Sequence, residues 1–280
     1  MIELKNLTKK FDDFTAVDSI NLEIGKGEFF GLLGANGAGK TTTISMLSTL
    51  LLPTSGEIYI DGQLLSRKRP ELKRKLSVVT QEYSMRQDMN MDEIMEYQGR
   101  LYFMPRRQIR ERTEELLRFC DLIDYRKRSV RKLSGGMKRK LMVCRALLTE
   151  PEILLLDEPT AGMDPISRRQ MWNLLRRLNE QNLTILLTTH YIEEAQSLCS
   201  RVALMQKGRL QEVNTPAAFI ESLGNHAVDV STSNGVETHY FHDRRDAIAY
   251  LSEIGGKAAL RETTLEDVFV ERVGIHLTQK

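Results

Sequence analysis

The chain has 280 residues, 41% of them hydrophobic, enough for one large domain or one domain with an appendage, which excludes disorder as its main state. With 40 basic against 38 acidic residues the formal charge is +2, so no global field draws the protein to nucleic acid or acidic lipid. Cys120, Cys144 and Cys199 lie far apart and read as small hydrophobes rather than a disulfide framework.

No run approaches the ~20 apolar residues of a membrane span. The opening MIELKNLTKKF lacks the basic-then-apolar pattern of a signal segment, so a soluble, cytosolic chain is expected unless a partner anchors it.

Strand-like runs open the chain at Ile2–Leu4, Val17–Ile24 and Phe29–Leu33, punctuated by Gly25, Gly27 and Gly31. A glycine-rich loop follows, then apolar residues at helical spacing (Ile44, Met46, Leu47, Leu50, Leu51) that stop at Pro53. Between about Asp92 and Leu148 the pattern is helical. Ile109, Leu116 and Leu117 mark one face, and Met137, Leu141, Cys144 and Leu148 another. Apolar strands return at Ile153–Leu156 and Leu183–Thr188 around a helix near Ile166–Leu178, so an α/β core with a sheet buried on both faces is predicted. Asn214-Thr215-Pro216 is a joint, and beyond it β-like runs (Ala227–Val230, Glu237–Phe241) and a helix near Arg245–Ile254 form a small appended unit.

Gly34-Ala35-Asn36-Gly37-Ala38-Gly39-Lys40-Thr41 fits G-x-x-x-x-G-K-[ST] between a strand and a helix. Its glycines let backbone N–H groups converge on phosphates, Lys40 reaches the β- and γ-phosphates, and the Thr41 hydroxyl ligates Mg²⁺. Thr42 is placed for an α-phosphate contact. Asp157 ends a buried apolar strand, where an acid points into the ligand crevice of an open sheet, and so belongs beside the Mg²⁺. Glu158 follows at once and can polarise the water that attacks the γ-phosphate, although taken alone it is equally a solvated turn residue. Leu133-Ser134-Gly135-Gly136-Met137 sets an N-cap serine and two glycines at the start of the second helix of the helical segment; in isolation this is a common turn.

With phosphate loop, Ser-Gly-Gly sequence and acidic strand in this order and spacing, the chain resembles the nucleotide-binding subunits of ABC transporters from about Ile2 to Asn214. The resemblance implies a P-loop NTPase fold with a RecA-like core, an N-terminal antiparallel β subdomain, a helical subdomain at about 85–150, and, beyond it, a small C-terminal α+β accessory unit at 215–280. It implies an ATPase in which each ATP is held head to tail between one chain's Gly34–Thr41 loop and the Ser134–Gly136 segment of a second copy, with the membrane-spanning permease on another polypeptide. The protein would then lie on the cytoplasmic face of the membrane.

By the same resemblance Gln81 contacts Mg²⁺ and the attacking water, His190 contacts the γ-phosphate, and Ala161-Gly162-Met163-Asp164 touches the opposite subunit. Phe11 stacks on adenine with Val17 beside it. Without the family, Gln81 reads as a surface residue, His190 as structural, Asp164 as a helix cap before Pro165, and Phe11 as core. Met137, Ala35 and Phe11 depart from the commonest family residues, yet none of these departures removes a phosphate ligand.

The cluster Arg126, Lys127, Arg128, Arg131 and Lys132 is either a solvated helix end or part of the surface that receives the membrane subunit. No aromatic residues interleave with it as nucleic-acid binding would require. The ending Thr264-Leu265-Glu266-Asp267-Val268-Phe269 resembles ATPases paired with ABC-2 type membrane subunits, which mostly export drugs, lipids or polysaccharides, and structurally it would pack Leu265, Val268 and Phe269 against the appended unit. Import stays open, as do two rivals: a soluble ABC ATPase of translation or DNA repair, and a small-molecule kinase.

Overall fold

A computed structural model of the chain describes residues 1–233, 235–254, 256 and 258–273. Residues 274–280 of the C-terminal unit lie outside the described residues.

The chain opens with β1 (Ile2–Phe11) and β2 (Phe14–Ile24), an antiparallel pair longer than their apolar alternation suggests. Asn6 and Ser19 take positive φ and the register shifts between Leu4 and Leu7, so these bulges break the two-residue period that marks a strand. Next come β3 (Phe29–Leu33), α1 (Lys40–Leu47), β4 (Ser55–Ile60), β5 (Gln63–Leu64), α2 (Pro70–Arg74) and β6 (Leu76–Val79). α1 ends a turn earlier than predicted: Thr49 has φ 59°, which no helix continues through, and Leu50 is left exposed.

The helical segment has three α-helices, α3 (Met91–Leu101), α4 (Arg106–Phe119) and α5 (Gly135–Leu147), so the Ser134 segment opens the third and not the second. α3 and α4 cross closely because Gly99 has no side chain; a Cβ there would lie 2.5 Å from Ile109. Then follow β7 (Ile153–Asp157), α6 (Pro165–Glu180), β8 (Thr184–Thr189), α7 (Ile192–Leu198), β9 (Arg201–Gln206) and β10 (Arg209–Asn214).

The central sheet runs β10-β9-β3-β8-β7-β6, parallel except where β10 pairs with β9. Its inner strands β3, β7 and β8 are buried on both faces, as a sheet covered on each side requires. Leu154, Leu156, Ile185 and Leu187 face α3 to α7, whereas Ile153, Leu155 and Leu186 face α1 and the antiparallel sheet β2-β1-β4-β5. The loops that carry Gly34–Thr42, Gln81, Asp157–Glu158 and His190 therefore emerge at the carboxyl edge of β3, β6, β7 and β8, where ligands bind in open α/β sheets.

After Asn214, Thr215 caps α8 (Pro216–Leu223) through a 3.1 Å bond from Ala218 N–H, and Pro216 takes the first helical position. A second small sheet, β12 (Gly235–Phe241), β11 (His226–Thr232) and β13 (Ala258–Glu262), packs against α9 (Arg244–Ile254), and α10 (Leu265–Val273) ends the described chain.

α10 bears out one expectation and extends it. Leu265, Val268 and Phe269 are fully buried against the appended unit at Phe219 of α8, and also join the main core at Ile192 and Ala195 of α7. Each such side chain contributes about 1.5–3 kcal/mol. Gln196 of α7 also accepts the Leu265 N–H at 2.9 Å.

Arg261 of β13 bridges Asp229 of β11 and Asp267 of α10, each at 2.7 Å, and so pins α10 to the small sheet. Burial alone would raise the Asp267 carboxyl, but Arg261 and the Thr264 N–H and hydroxyl hold it below the ordinary carboxylate range. Stability from such a depressed acid is present above its unfolded pKa and is lost as pH falls through the folded value. Asp267→Asn is expected to cost about 1–3 kcal/mol near neutral pH, or about 2–4 °C of melting temperature per kcal/mol. Melting curves taken at decreasing pH should show the gap between variant and wild type closing in acid.

Candidate functional site

The loop after β3 is closed by close approach. A Cβ on Gly34 would lie 2.3 Å from the Met205 carbonyl, and Gly39, at φ 108°, would bring one within 2.5 Å of the Ala16 carbonyl. Only glycine fits either position. The Lys40 ammonium, 4% exposed, donates to the Gly34 and Ala35 carbonyls at 2.8 and 3.1 Å and lies 3.4 Å from Glu158 Oε1. Burial lowers the Lys40 pKa, and the Glu158 and Asp157 carboxylates oppose that shift.

Asp157 and Glu158 leave the end of β7 in different directions. Asp157 Oδ1 accepts from Thr188 Oγ1 at 2.6 Å and from Thr41 Oγ1 at 3.1 Å, which joins loop and acid. Glu158 takes φ 47°, the left-handed region, and its N–H donates to the Thr188 carbonyl at 3.1 Å. This turn carries its carboxylate into the cleft, where Oε2 lies 3.0 Å from Nδ1 of His190.

Together these groups line a cleft of about 610 Å³ with Phe14, Ala16, Asn36, Gly37, Ala38, Gly39, Lys40, Thr41, Thr42, Gln81, Ala161, Gly162 and Tyr191. Gln81 is held from behind: Arg139, 2% exposed inside α5, donates to the Thr80 and Gln81 carbonyls at 2.8 and 2.9 Å. The same helix begins at Ser134, so Arg139 fixes the Gln81 loop to the helix of the Ser-Gly-Gly sequence.

The structure brings Lys40, Thr41, Thr42, Gln81, Glu158 and His190 into one cleft, and Asp157 beneath it. It sets others elsewhere. Ser134 caps α5 by accepting the Met137 N–H at 3.2 Å, and Gly135 and Gly136 pack against Tyr83 and Ser167, outside that cleft. Asp164 caps α6 through the Ile166 and Ser167 N–H groups.

Of the pair assigned to adenine, Val17 is fully buried in the core, and Phe11 is half-exposed beneath the Lys9 ammonium. Neither is among the lining residues; Phe14, 63% exposed, and Ala16 line the cleft in their place. Phe11 and Phe14 face each other across the β1–β2 turn, so an aromatic at this hairpin was legible and which one faces the cleft was not.

Two further residues had no motif to mark them. Thr188 lies inside an apolar strand, and Arg139 shows only as a charge three and four residues before the buried Met142 and Val143.

A sequence profile described as ABC transporter matches residues 17–161, just over half of the chain. The chain belongs to the ABC transporter family. Among curated relatives of this ABC subunit, the Nod factor export ATP-binding protein I of Cupriavidus metallidurans is 37% identical, over 98% of this chain and 97% of the relative. A daunorubicin resistance ATP-binding protein of Streptomyces coeruleorubidus is 34% identical over 98% of this chain and 96% of its own length. A dimeric ATP-binding cassette solved in a post-hydrolysis state with ADP and Pi has 29% identity and a TM-score of 0.68, over 77% of this chain and 98% of that one. An ATP-binding subunit of an ABC transporter, 23% identical, shares the fold with a TM-score of 0.73 over 97% of this chain and 98% of that one. This ABC subunit binds and hydrolyses ATP, and its fold is that of the cassettes, a mixed α/β architecture around a parallel sheet.

Proposed function

We propose that this subunit drives an ABC-2 type exporter by closing head to tail with a second copy around MgATP, with Glu158 as general base. The observation that carries this reading is the division of the nucleotide residues. One chain's cleft gathers the phosphate loop, Gln81, Glu158 and His190, while the N-terminus of α5 with its Ser134–Gly136 segment lies outside the cleft lining. A helix N-terminus with free N–H groups is built to meet an anion, and the γ-phosphate in a partner's cleft supplies one. Closure and reopening of such a pair bias a two-state permease.

The donor set suits Mg²⁺. Among the described residues no group of three or more His, Cys, Asp or Glu could cage a metal, so Thr41, Asp157 and Gln81 would hold the ion jointly with phosphate oxygens and water, as small hard cations prefer. Bound there, Mg²⁺ would neutralise charge that develops on the β- and γ-phosphates. Glu158 accepts a proton from the attacking water, and His190, 3.0 Å away, orients that carboxylate. Domain boundaries follow the same reading: residues 1–214 carry the nucleotide chemistry, and 215–280 form an accessory unit.

No helix among the described residues is long and apolar enough to cross a membrane. Relatives named for export and drug resistance favour a separate membrane subunit, with this protein on the cytoplasmic face of the membrane. The docking surface we assign to that subunit is the groove between α2, β6 and the end of α3. There Leu101, Tyr102 and Phe103 stand in solvent, Phe103 88% exposed. The basic cluster competes less well for that role, because Arg126 and Lys127 are both paired with Asp92, each at 2.9 Å.

The test is to tag the chain, extract it from native membranes in mild detergent and identify its companions by mass spectrometry. A polypeptide with several apolar spans is expected in matching amount with wild type and strongly depleted with Phe103→Asp. ATP turnover by the isolated variant should stay within about twofold, since surface substitutions away from a site change little. Ribosomal or DNA-repair proteins in place of a membrane protein would overturn the reading.

A further inference from the structure

Glu194 of α7 is fully buried, four residues beyond His190. Its Oε1 accepts from the Thr160 hydroxyl at 2.9 Å and from the Trp172 indole N–H at 3.0 Å, while Oε2 has no well-formed hydrogen bond, although the Thr189 hydroxyl lies near enough to the carboxyl to favour its charged form. Arg168 is close enough to be felt as a charge but makes no ion pair with it; its guanidinium lies 4.5 Å from the centre of the Tyr191 ring. Burial pushes the Glu194 carboxyl above its ordinary range, and neighbouring hydroxyls, the indole and Arg168 offset part of that. A buried carboxyl with one oxygen unmatched is costly to keep, so its retention calls for an explanation beyond packing.

The two donors differ in where they lead. Thr160 is two residues beyond Glu158, inside the turn that sets Glu158 at φ 47°: Ala161 N–H donates to the Glu158 carbonyl at 3.2 Å and Met163 N–H to the Thr160 carbonyl at 3.1 Å. Trp172 sits in the middle of α6, away from the cleft. Behind Glu194, its own N–H donates to the Tyr191 carbonyl at 3.2 Å, and the Tyr191 ring stacks on His190 with centroids 4.2 Å apart. The Glu194 carboxyl thus ties the turn that carries Glu158 to α7, the helix that begins two residues after His190.

We infer that Glu194 is a positioning residue for ATP hydrolysis, which through Thr160 fixes the Glu158 turn against the His190 segment. The inference rests on the proposed roles of Glu158 and His190. Nucleotide binding does not need this tie, because the loop after β3 is held by Met205, Ala16 and its own carbonyls. Hydrolysis does, since displacing a catalytic group by about 1 Å costs up to about a hundredfold.

The experiment compares two variants that each remove one donor from the same oxygen. Thr160→Val should lower kcat by roughly ten- to a hundredfold, as a misplaced base would, with the ATP dissociation constant unchanged. Thr160→Ser, which keeps the hydroxyl, should restore turnover. Trp172→Phe should lower the melting temperature yet leave kcat within about twofold, as expected when no transition-state contact is lost. Equal slowing by Thr160→Val and Trp172→Phe, or none by either, would overturn the inference. If Thr160→Val does not fold, Thr160→Ala is read on the same scale. Glu158→Gln, run alongside, separates the two levels: a Glu158→Gln protein that still releases phosphate refutes the site, whereas a dead one beside a fast Thr160→Val protein refutes only the positioning role.

Discussion

Glu158→Gln is expected to bind ATP as wild type does and to release phosphate about 10²- to 10⁴-fold more slowly, the usual contribution of a positioned general base. The substitution keeps size and turn geometry, because the 3.1 Å bond from the residue 158 N–H to Thr188 and the packing around it do not involve the carboxylate. What disappears is the acceptor for the water's proton and the charge that faces His190 Nδ1 at 3.0 Å and Lys40 at 3.4 Å. Single-turnover phosphate release measured beside an equilibrium ATP titration distinguishes these effects. Near-normal release would remove Glu158 from the mechanism.

Lys40→Ala acts one step earlier. The ammonium is 4% exposed and sits between two loop carbonyls and a carboxylate, so it both shapes the loop and supplies the positive charge the phosphates meet. Charge-assisted hydrogen bonds of this kind contribute about 1.5–3 kcal/mol, so the ATP dissociation constant should rise roughly ten- to a hundredfold. Folding should survive, because the substitution also removes a buried charge, and a melting curve checks that. An unchanged dissociation constant would contradict the assignment of this loop to the phosphates.

How much of this could be read from the residues alone depended on whether a function needs neighbours in sequence. The Gly34–Thr41 loop and the Asp157-Glu158 pair are contiguous, and each lies where an apolar strand ends, so pattern and position agreed with their place at the sheet's carboxyl edge. Long apolar strands and strongly periodic helices such as α4 were legible for the same reason.

What escaped was set by tertiary contact. Bulges at Asn6 and Ser19 hid the length of β1 and β2, and one residue in the left-handed region ended α1 before its apolar spacing ran out. Phe11 and Phe14 are equivalent by composition, and only the β1–β2 turn decides which of them faces the cleft. Leu265, Val268 and Phe269 announced a buried face without naming the surface that covers it, which proved to be α7 and α8. Glu194 looks like any acid in the first turn of a helix until Thr160 and Trp172, far away in sequence, are found at its oxygen.

The left-handed backbone of Glu158 sets two selective pressures against each other at one position. A residue with a Cβ costs about 1–2 kcal/mol there relative to glycine, so the chain forgoes stability to aim its base. Screening random variants of this protein for heat resistance would therefore reward glycine at 158 and enrich for cassettes that are sturdier and silent. Where such proteins are to be hardened for use, that turn is the place to leave untouched.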